Sequence, residues 1–267
     1  MVLLPHIIVI PIHKATPTED EMLSLRQCAL VLKSHPICIV CPEGLNVTTY
    51  CDVLSNYGAN CTIEHFHPRF FDGIKGYNLL MLDKNFYKSF ACYKYMLIYQ
   101  LDAWVFRDEL KKWCDQGYDY IGAPWIWKEE NGHYHFAGVG NGGFSLRRVQ
   151  HFIDVLSYKG SVKDGNNLKL KPSLKNRIYK YLYSHGYQNT INYYKKDSTL
   201  YEDIFLSIFL NNTKLQANTP PALTAAYFAF EKEPTYLYSL TKQLPFGCHA
   251  WKKYEYDIFW SNHISFK

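Results

Sequence analysis

The chain has 267 residues, of which 48% are hydrophobic and 20% charged, a composition typical of a folded globular protein. Its formal net charge of +5 is modest. This charge suits an anionic small ligand such as a nucleotide, but no run of basic residues is dense enough to indicate a nucleic-acid-binding protein. No stretch of the sequence has the apolar length that a bilayer-spanning helix needs, so we expect no transmembrane helix.

The cysteines and the N-terminus bear on the cellular compartment. Among eight cysteines, Cys38 and Cys41 have a C-x-x-C spacing, but no second such pair completes a zinc site. We therefore expect free thiols in a reducing compartment. Residues 1–10 lack a basic n-region and a cleavage site, which favours a first strand over a signal peptide. The expected location is the cytoplasm, with peripheral association at a membrane surface as an option.

The first quarter of the sequence alternates between apolar runs and amphipathic stretches. Strands are predicted at His6–Pro11, Ile37–Val40 and Cys61–Phe66, with helices between them at Thr18–Lys33 and Val47–Tyr57. This order indicates a parallel α/β sheet with right-handed crossovers, which binds nucleotides at its strand ends. No G-x-G-x-x-G follows the first strand, and G-x-x-x-x-G-K-[ST] does not occur, which argues against dinucleotide enzymes and P-loop nucleotide hydrolases.

The next stretch places one carboxylate in a buried strand. Helices are predicted at Gly76–Phe90 and Arg107–Asp115, and a strand at Tyr118–Ile121. Between the helices, Met96–Phe106 predicts a buried strand, and Asp102 falls among apolar neighbours where that strand would end, at the edge where ligands bind. An ionised carboxylate is costly to bury unless it is paired or binds a metal. Asp102 therefore either faces a metal–phosphate group or caps the following turn or helix, and the sequence does not decide between these two roles.

Two loops follow the sheet strands. The polar stretch Lys128–His135 predicts a plain hairpin or a mobile lid, the hairpin being at least as well supported. Ala137–Arg147 then has four glycines within six residues, which means that the backbone must approach something closely. A bulge or tight turn would explain this, but Asn141 lies among the glycines and its amide could bind hydroxyl groups. We favour a segment that faces a ligand.

The second half of the chain carries a basic helix. A helix is predicted at Val149–Tyr158, followed by a polar excursion over Lys159–Pro172. Lys175–His185 predicts a basic, tyrosine-rich helix. We expect its cations to face solvent, with an anionic acceptor or a membrane surface as alternatives.

Titratable residues near the C-terminus are further candidates. Glu202 and Asp203 open a predicted helix, where acids favour the helix dipole, but a carboxylate there is also a natural general base. A strand or short extended segment is predicted at Ala225–Glu231. His249 lies in the Pro- and Gly-containing loop Leu244–Trp251, where a structural role and a metal-ligand role are equally supported.

Six strings occur in a fixed order: IPIHK, YKYMLIYQLDAWVFRDEL, GYDYIGAPW, VGNGGFSLRR, YEDIF and LPFGCHAW. From about His6 to Trp260, the chain closely resembles a family of mostly uncharacterised microbial proteins classed as glycosyltransferase-like. Its layout is also similar to that of GT-A glycosyltransferases, including the metal-dependent β-galactosyltransferases.

The resemblance implies an α/β protein with a single GT-A-like domain over residues 1–267. Its Rossmann-like central sheet would be mostly parallel and flanked by helices, with a C-terminal region on the acceptor side. Residues 1–122 would form the nucleotide-binding half and residues 123–267 the acceptor- and sugar-binding half. Residues 159–199, which match the family least, are a candidate insertion.

The resemblance also implies the site residues. The nucleotide and donor site would contain Pro11, Ile12, His13, Gln100, Asp102 and Trp104. The sugar and acceptor site would contain Trp125, Asn141, Gly142, Gly143 and Phe144. Asp203, or else Glu202, would be the general base, and Asp102 with His249 would hold Mn²⁺ or Mg²⁺. The motif around Asp102 has one acid where the family has two, so diphosphate and water would complete the coordination.

The function implied is transfer of a sugar from a nucleoside-diphosphate donor, UDP-linked in our expectation, to a saccharide or other hydroxyl acceptor. Inversion at the anomeric carbon follows if the carboxylate is a general base. Glycoconjugates are included among the acceptors, and nucleic acid is not an expected partner. The alternatives are a sugar nucleotidyltransferase, which would release pyrophosphate, and a non-catalytic carbohydrate-binding protein.

Overall fold

A computed structural model describes residues 3–196 and 201–264. Within these ranges the strands are Leu4–Pro11 (β1), Ile37–Pro42 (β2), Cys61–Phe66 (β3), Tyr93–Tyr99 (β4), Trp104–Val105 (β5), Tyr120–Ile121 (β6), Pro124–Lys128 (β7), Tyr134–Val139 (β8), Phe144–Arg148 (β9), Ala229–Phe230 (β10) and Gly247–Cys248 (β11).

The helices flank these strands. They are Glu19–Leu32 (α1), Thr48–Asn56 (α2), Gly73–Met81 (α3), Lys84–Ser89 (α4), Leu110–Asp115 (α5), Val149–Ser157 (α6), Leu174–Ser184 (α7), Ile191–Tyr194 (α8), Glu202–Ile204 (α9), Ala222–Phe228 (α10) and Pro234–Thr241 (α11). A π-helical turn, Phe205–Phe209, continues α9, and 3₁₀ turns form at Pro68–Phe71, Gly165–Asn167 and Trp260–Asn262.

The main sheet has six strands in the order β3-β2-β1-β4-β9-β6. The first four strands are parallel, whereas β9 runs antiparallel to both β4 and β6. The predicted mostly parallel α/β sheet is therefore confirmed. Because β2 and β4 lie on opposite sides of β1, the sheet has a topological switch point between β1 and β4, where ligands bind outside the carboxyl ends of the strands.

Strand β1 is buried on both faces. Ile8 and Ile10 point into a core cluster with α1 and α2, while Ile7 and Val9 point into a second cluster with α3, α4 and α6. Its unbroken β-branched run is the pattern expected for a central parallel strand covered by helices on both sides. The strand is thereby held rigidly, and the loop after Pro11 starts from a fixed point.

A second sheet has the order β10-β11-β5. Strand β11 is parallel to β10 and antiparallel to β5, with Cys248 opposite both Phe230 and Trp104. These strands have two residues each, too short to be recognised from the sequence. They nevertheless bring three distant parts of the chain to one place beside the main sheet.

Three predicted elements differ from those observed. The predicted helix Gly76–Phe90 is two helices, because Asp83 ends one and caps the next through a 2.8 Å hydrogen bond from the Asn85 amide to Asp83 Oδ1. The predicted strand Met96–Phe106 is divided by a turn at Leu101 and Asp102. The expected burial of Asp102 is wrong, because this turn leaves its side chain 55% exposed.

The third difference concerns Ala225–Glu231, predicted as a strand or an extended segment. It is largely the end of helix α10, followed by the two-residue strand β10. Alanine favours helix while tyrosine and phenylalanine suit strands, so this stretch is ambiguous by propensity.

The remaining predictions concern loops and boundaries. Lys128–His135 lies in an antiparallel hairpin of β7 and β8, where Lys128 pairs with Tyr134. The candidate insertion contains α7 and α8, while its residues 197–199 lie outside the described residues. The division into halves at residue 122 stays a prediction. Throughout the described chain, helices are too short or too polar to traverse a bilayer.

Candidate functional site

A cavity of about 520 Å³ opens at the carboxyl ends of β1 and β4, at the switch point of the sheet. This volume lies within the range of small-molecule sites. Its walls come from every part of the chain. They are formed by Pro11, Ile12, His13, Lys14, Glu21, Tyr50, Phe70, Phe71, Gly73, Ile74, Tyr77, Asn78, Gln100, Leu101, Asp102, Asn141, Gly142, Gly143, Tyr201, Glu202, Asp203, Glu231 and His249.

The loop after β1 forms one end of the cavity, as predicted for Pro11, Ile12 and His13. The Ile12 amide donates a 2.8 Å hydrogen bond to the neighbouring strand, and the Tyr50 hydroxyl donates to the Lys14 carbonyl at 2.9 Å. Neither Tyr50 nor the salt bridge of Lys14 to Glu21, at 2.8 Å, was predicted to belong to the site. Together they give this end an aromatic and a charged wall.

The small sheet brings Asp102, Glu231 and His249 together. Glu231 and His249 each follow directly on one of the parallel strands β10 and β11, and Asp102 shortly precedes the antiparallel β5. His249 Nε2 lies 3.0 Å from Asp102 Oδ1 and 3.1 Å from Gln100 Oε1, and its Nδ1 lies 3.4 Å from Glu231 Oε1. Glu231 was missed, although an acid directly after an apolar run is the signal that identified Asp102.

The charges of this cluster are coupled. Burial disfavours the charged imidazole of His249, but Asp102 and then Glu231 outweigh this cost and raise the pKa of His249 to about 10. The Asp102 side chain is 55% exposed, so loss of hydration disfavours its ionised form only in part, and the charge and hydrogen bond of His249 lower its pKa overall. Without a bound ligand, His249 is therefore an imidazolium between two carboxylates.

The donor set can be compared with the needs of Mn²⁺ or Mg²⁺. In the described ranges, no group of three or more His, Cys, Asp or Glu side chains is arranged to hold a metal ion. Gln100 adds an amide oxygen to Asp102 and His249. Carboxylate and amide oxygens and imidazole nitrogens are ligand types that such ions accept, and the 3.0 and 3.1 Å separations of these atoms are those of hydrogen bonds made by His249. The three residues thus fit an ion that also binds phosphate and water, once His249 has lost its proton.

The glycine-rich segment before β9 forms the floor of the cavity. Asn141 has a left-handed φ of 77°, and its Oδ1 accepts a 3.0 Å hydrogen bond from the Gly143 amide. A Cβ on Gly142 would collide with Glu202, and one on Gly143 would collide with His249. The glycines are therefore required by close packing of the protein's own side chains. Asn141 Nδ2 is buried and has no hydrogen-bond partner among the described residues.

Glu202 is engaged in a buried ion pair. Its Oε1 lies 2.8 Å from Arg147 Nη2, and both side chains are almost fully buried. Arg147 also donates to the Tyr87 hydroxyl at 2.8 Å and to Ser145 Oγ at 3.0 Å. Burial raises the pKa of Glu202, and Arg147 opposes that shift. This network holds α9 against the glycine-rich segment, and Arg147 was not among the predicted site residues.

Asp203 is the acid of the pair that is more open to the cavity. Its Oδ1 accepts a 2.8 Å hydrogen bond from the Ile204 amide, and it has no salt bridge to a described cation. Desolvation is the main cause that raises the pKa of Asp203, against hydrogen bonds and the Arg147 charge. A half-buried carboxylate with a raised pKa is suited to accept a proton. Of the two acids predicted as bases, only Glu202 is in a buried ion pair with a described cation, and the role of general base stays a prediction for both.

An apolar wall lies on the side of α3. It is formed by Phe70, Phe71, Ile74 and Tyr77, and the Tyr77 hydroxyl lies 3.5 Å from the Gly142 carbonyl. The sequence offered no signal for this wall, because its residues resemble the core-facing residues of any amphipathic helix.

Three predicted site residues do not line the cavity. Trp104 is buried in a separate apolar cluster, where its ring packs on Trp251. The Trp125 ring lies close to Gly140 on the β7–β8 hairpin. Phe144 points to the opposite side of β9, among the core aromatics. Strand alternation and the turn at Asp102 send these rings away from the cavity.

A family model matches residues 60–249 and is described as a protein of unknown function (DUF5672). The chain belongs to this family. The DUF5672 match contains Asp102, Asn141 and Asp203 and ends at His249, and it begins after the loop that follows β1. No curated protein matches the chain.

Solved structures similar to this DUF5672 chain are remote. Core-mannan synthase A from Aspergillus fumigatus, in a Mn/GDP form, is 9% identical with a TM-score of 0.43, covering 74% of this chain and 70% of its own. The galactosyltransferase LgtC, with donor and acceptor sugar analogs, is 12% identical with a TM-score of 0.47, and the match covers 91% of this chain and 86% of LgtC. The glycosyltransferase GlyE from Streptococcus pneumoniae is 11% identical with a TM-score of 0.48, and the match covers 92% of this chain and 54% of GlyE. Likenesses this distant do not assign the chemistry of the chain.

Proposed function

We propose that the protein is a glycosyltransferase that moves a sugar from a nucleoside-diphosphate donor, UDP-linked in our proposal, to a hydroxyl of a saccharide or glycoconjugate. One observation carries this proposal. A single cavity at the switch point of the sheet joins the Gln100–Asp102–His249 cluster to the carboxylate of Asp203 across a floor of glycines. Sugar transfer needs a site for a diphosphate leaving group and a base for the acceptor in one enclosure.

The donor would extend from the loop after β1 to the charged cluster. The nucleoside would lie against Ile12 and Tyr50, and the diphosphate would lie near Asp102 and His249. These residues, with Gln100, would hold the divalent cation. When bound, such an ion neutralises the negative charge that develops on the leaving diphosphate. As an imidazolium, His249 could instead neutralise phosphate charge directly.

The donor sugar would lie over the glycine-rich floor. Asn141 Nδ2 is a buried donor without a protein partner, and Glu202 Oε2 is a buried acceptor that also lacks one among the described residues. Burial makes an unsatisfied polar atom costly, so hydroxyl groups of a bound sugar would be favourable partners. These two atoms give the floor one donor and one acceptor with which to recognise a sugar.

Asp203 would be the general base. The acceptor oxygen forms a bond to the anomeric carbon, the bond from that carbon to the diphosphate oxygen breaks, and the acceptor proton passes to the Asp203 carboxylate. Attack from the face opposite the leaving group inverts the anomeric configuration. The raised pKa of Asp203 makes it a better proton acceptor than an exposed aspartate.

The test is a transfer assay with a panel of nucleotide sugars and saccharide acceptors, in which nucleoside-diphosphate release is measured. We expect release with one donor, and Asp203→Asn should abolish it while nucleotide binding stays close to wild type. The exposed Asp52→Asn, away from the cavity, is the matched control. Loss of nucleotide binding together with transfer would contradict the role of Asp203 as base, and release of pyrophosphate would identify a nucleotidyltransferase. Sugar binding indifferent to nucleotide would instead identify a carbohydrate-binding protein.

A further inference from the structure

The positive charge of the protein is concentrated in one segment. Residues 159–196, the basic segment, contain nine lysines and arginines and a single acid, and so carry a formal charge of +8. The rest of the chain has 20 cations against 23 acids and carries −3. Among the residues that the structure describes, none of the nine cations forms a salt bridge with a carboxylate. Their charge is therefore not neutralised by pairing within the described part of the molecule.

Helix α7 of the basic segment turns an apolar stripe outward. Leu174, Ile178 and Tyr181 are 74%, 53% and 64% exposed, and their spacing places them along one side of the helix. Tyr183 is the buried residue of this helix. An ordinary surface helix has the opposite arrangement, because its apolar side faces the core.

Four further large apolar side chains of the segment are exposed. Leu170, Leu182, Tyr187 and Tyr193 are exposed as well. Large exposed apolar groups that lie close together are characteristic of interaction sites. The same segment thus combines uncompensated positive charge with aliphatic and aromatic side chains.

Hydrogen bonds within the basic segment hold its parts together, and Val162 and Ile191 attach it to the rest of the fold through the core cluster that contains Ile7 of β1. Asn189 Nδ2 donates to the carbonyls of Lys163 and Tyr183 at 2.7 and 2.9 Å, and the Val162 amide donates to the Asn189 carbonyl at 2.9 Å. Ile191 of the following helix α8 is fully buried in the main core. The outward position of the apolar stripe therefore belongs to the folded state.

We propose that the basic segment binds the surface of an anionic phospholipid bilayer. The stripe of Leu174, Ile178 and Tyr181 would enter the headgroup region, while the cations contact lipid phosphates. Charge complementarity favours this partner, and apolar side chains add affinity when they leave water. Leucine and isoleucine do not stack on bases, so the stripe would add no affinity for a nucleic acid.

The test is co-sedimentation of the full chain with vesicles of phosphatidylcholine, with and without about 30% phosphatidylglycerol, a content at which basic segments bind. We expect binding to the anionic vesicles, with little to pure phosphatidylcholine. Replacing Lys171, Lys175 and Arg177 by glutamine should weaken binding about a hundredfold, since each cation near the surface contributes about 1 kcal/mol. Ile178→Ser with Tyr181→Ser should weaken it roughly tenfold or more.

Matched controls lie on other surfaces. One control variant replaces Arg26, Lys33 and Lys88 by glutamine, and the other is Ile258→Ser. Both change exposed residues outside the segment and should leave vesicle binding unchanged. Unfolding curves show whether each variant is folded. Failure to bind anionic vesicles, or equal binding by all variants, would overturn the proposal. The proposal would also be overturned if a DNA duplex bound as tightly as the anionic vesicles and the serine substitutions did not weaken that binding, because the partner would then be a general polyanion. None of these outcomes depends on whether the protein transfers sugars.

Discussion

At the scale of single residues, two adjacent acids have opposite environments. Glu202 is almost fully buried against Arg147, whereas Asp203 is half-buried and faces the cavity. Removing one member of a buried ion pair leaves an uncompensated charge in the interior, while a half-buried carboxylate can be neutralised at small cost. The same isosteric change should therefore affect stability at one position and chemistry at the other.

We predict that Glu202→Gln lowers the free energy of unfolding by about 3–5 kcal/mol, because it leaves the Arg147 charge buried without its partner. Asp203→Asn should change it by less than about 1 kcal/mol. Urea titrations of both variants measure these differences. Equal losses of stability would show that Asp203 is as much a structural residue as Glu202.

The charge of His249 should appear in the pH dependence of stability. Its pKa is raised from 6.5 to about 10 in the folded protein. The folded state therefore binds a proton that the unfolded state releases, so the stabilisation is complete below pH 6.5 and is lost as pH rises through 10. Urea titrations in the presence of a chelator should show that the free energy of unfolding of the wild type exceeds that of His249→Gln at pH 6, and that this difference decreases as the pH rises to 10. A difference that stays constant between pH 6 and pH 10 would contradict a charged His249.

Residue types alone identified several members of the site, and packing determined the others. Asp102 could be predicted because a carboxylate among apolar residues must be paired or bind a ligand, and His249 was a candidate because it lies in a loop that contains Pro245 and Gly247. Arg147 could not be predicted, since its partner is distant in the sequence and the pairing depends on how α9 packs on β9. The same limit applies to Tyr77, whose hydroxyl reaches the Gly142 carbonyl only in the folded chain.

At the scale of elements, the glycine-rich segment is held between α9 and the loop after β11. Gly143→Ala places a methyl group against His249 and Gln100. We predict at least a tenfold loss of nucleotide affinity, since either the charged cluster or the floor must move. Isothermal titration measures this loss.

The matched control for that prediction is Gly132→Ala in the β7–β8 turn. Gly132 has open space around its Cβ position but a φ of 86°. This substitution should cost about 1–2 kcal/mol of stability through backbone strain and leave nucleotide affinity unchanged. Equal affinity of Gly143→Ala and wild type would mean that the floor does not take part in binding.

The long elements could be predicted from the sequence, and the short ones could not. The strand predicted at Cys61–Phe66 is observed with those bounds, because turn residues flank it at Gly58 and Asn60 before and Pro68 after. The strands β5, β10 and β11 have two residues each, and no periodicity can be detected over that length. They depend on long-range pairing, and they are the elements that assemble Asp102, Glu231 and His249.

At the scale of the whole molecule, the position of the cavity follows from topology. The alternation of strands and helices in the first quarter of the chain predicts a parallel sheet, and a parallel sheet predicts a site at its switch point. What the alternation does not predict is the antiparallel β9, which carries the glycine-rich floor to that point. The site is thus formed where the parallel strands of the sheet meet segments from the second half of the chain.

The most direct measurement is thermal unfolding of the wild-type protein and of Asp102→Ala, with a panel of nucleoside diphosphates and with or without Mn²⁺. At a hundredfold excess over the dissociation constant, one nucleotide should stabilise the wild type by about 2.7 kcal/mol, or roughly 5–10 °C. Mn²⁺ should enlarge this shift, and Asp102→Ala should lose it. Stabilisation by no nucleotide, or equal stabilisation of both proteins, would contradict a nucleotide-sugar site at Asp102.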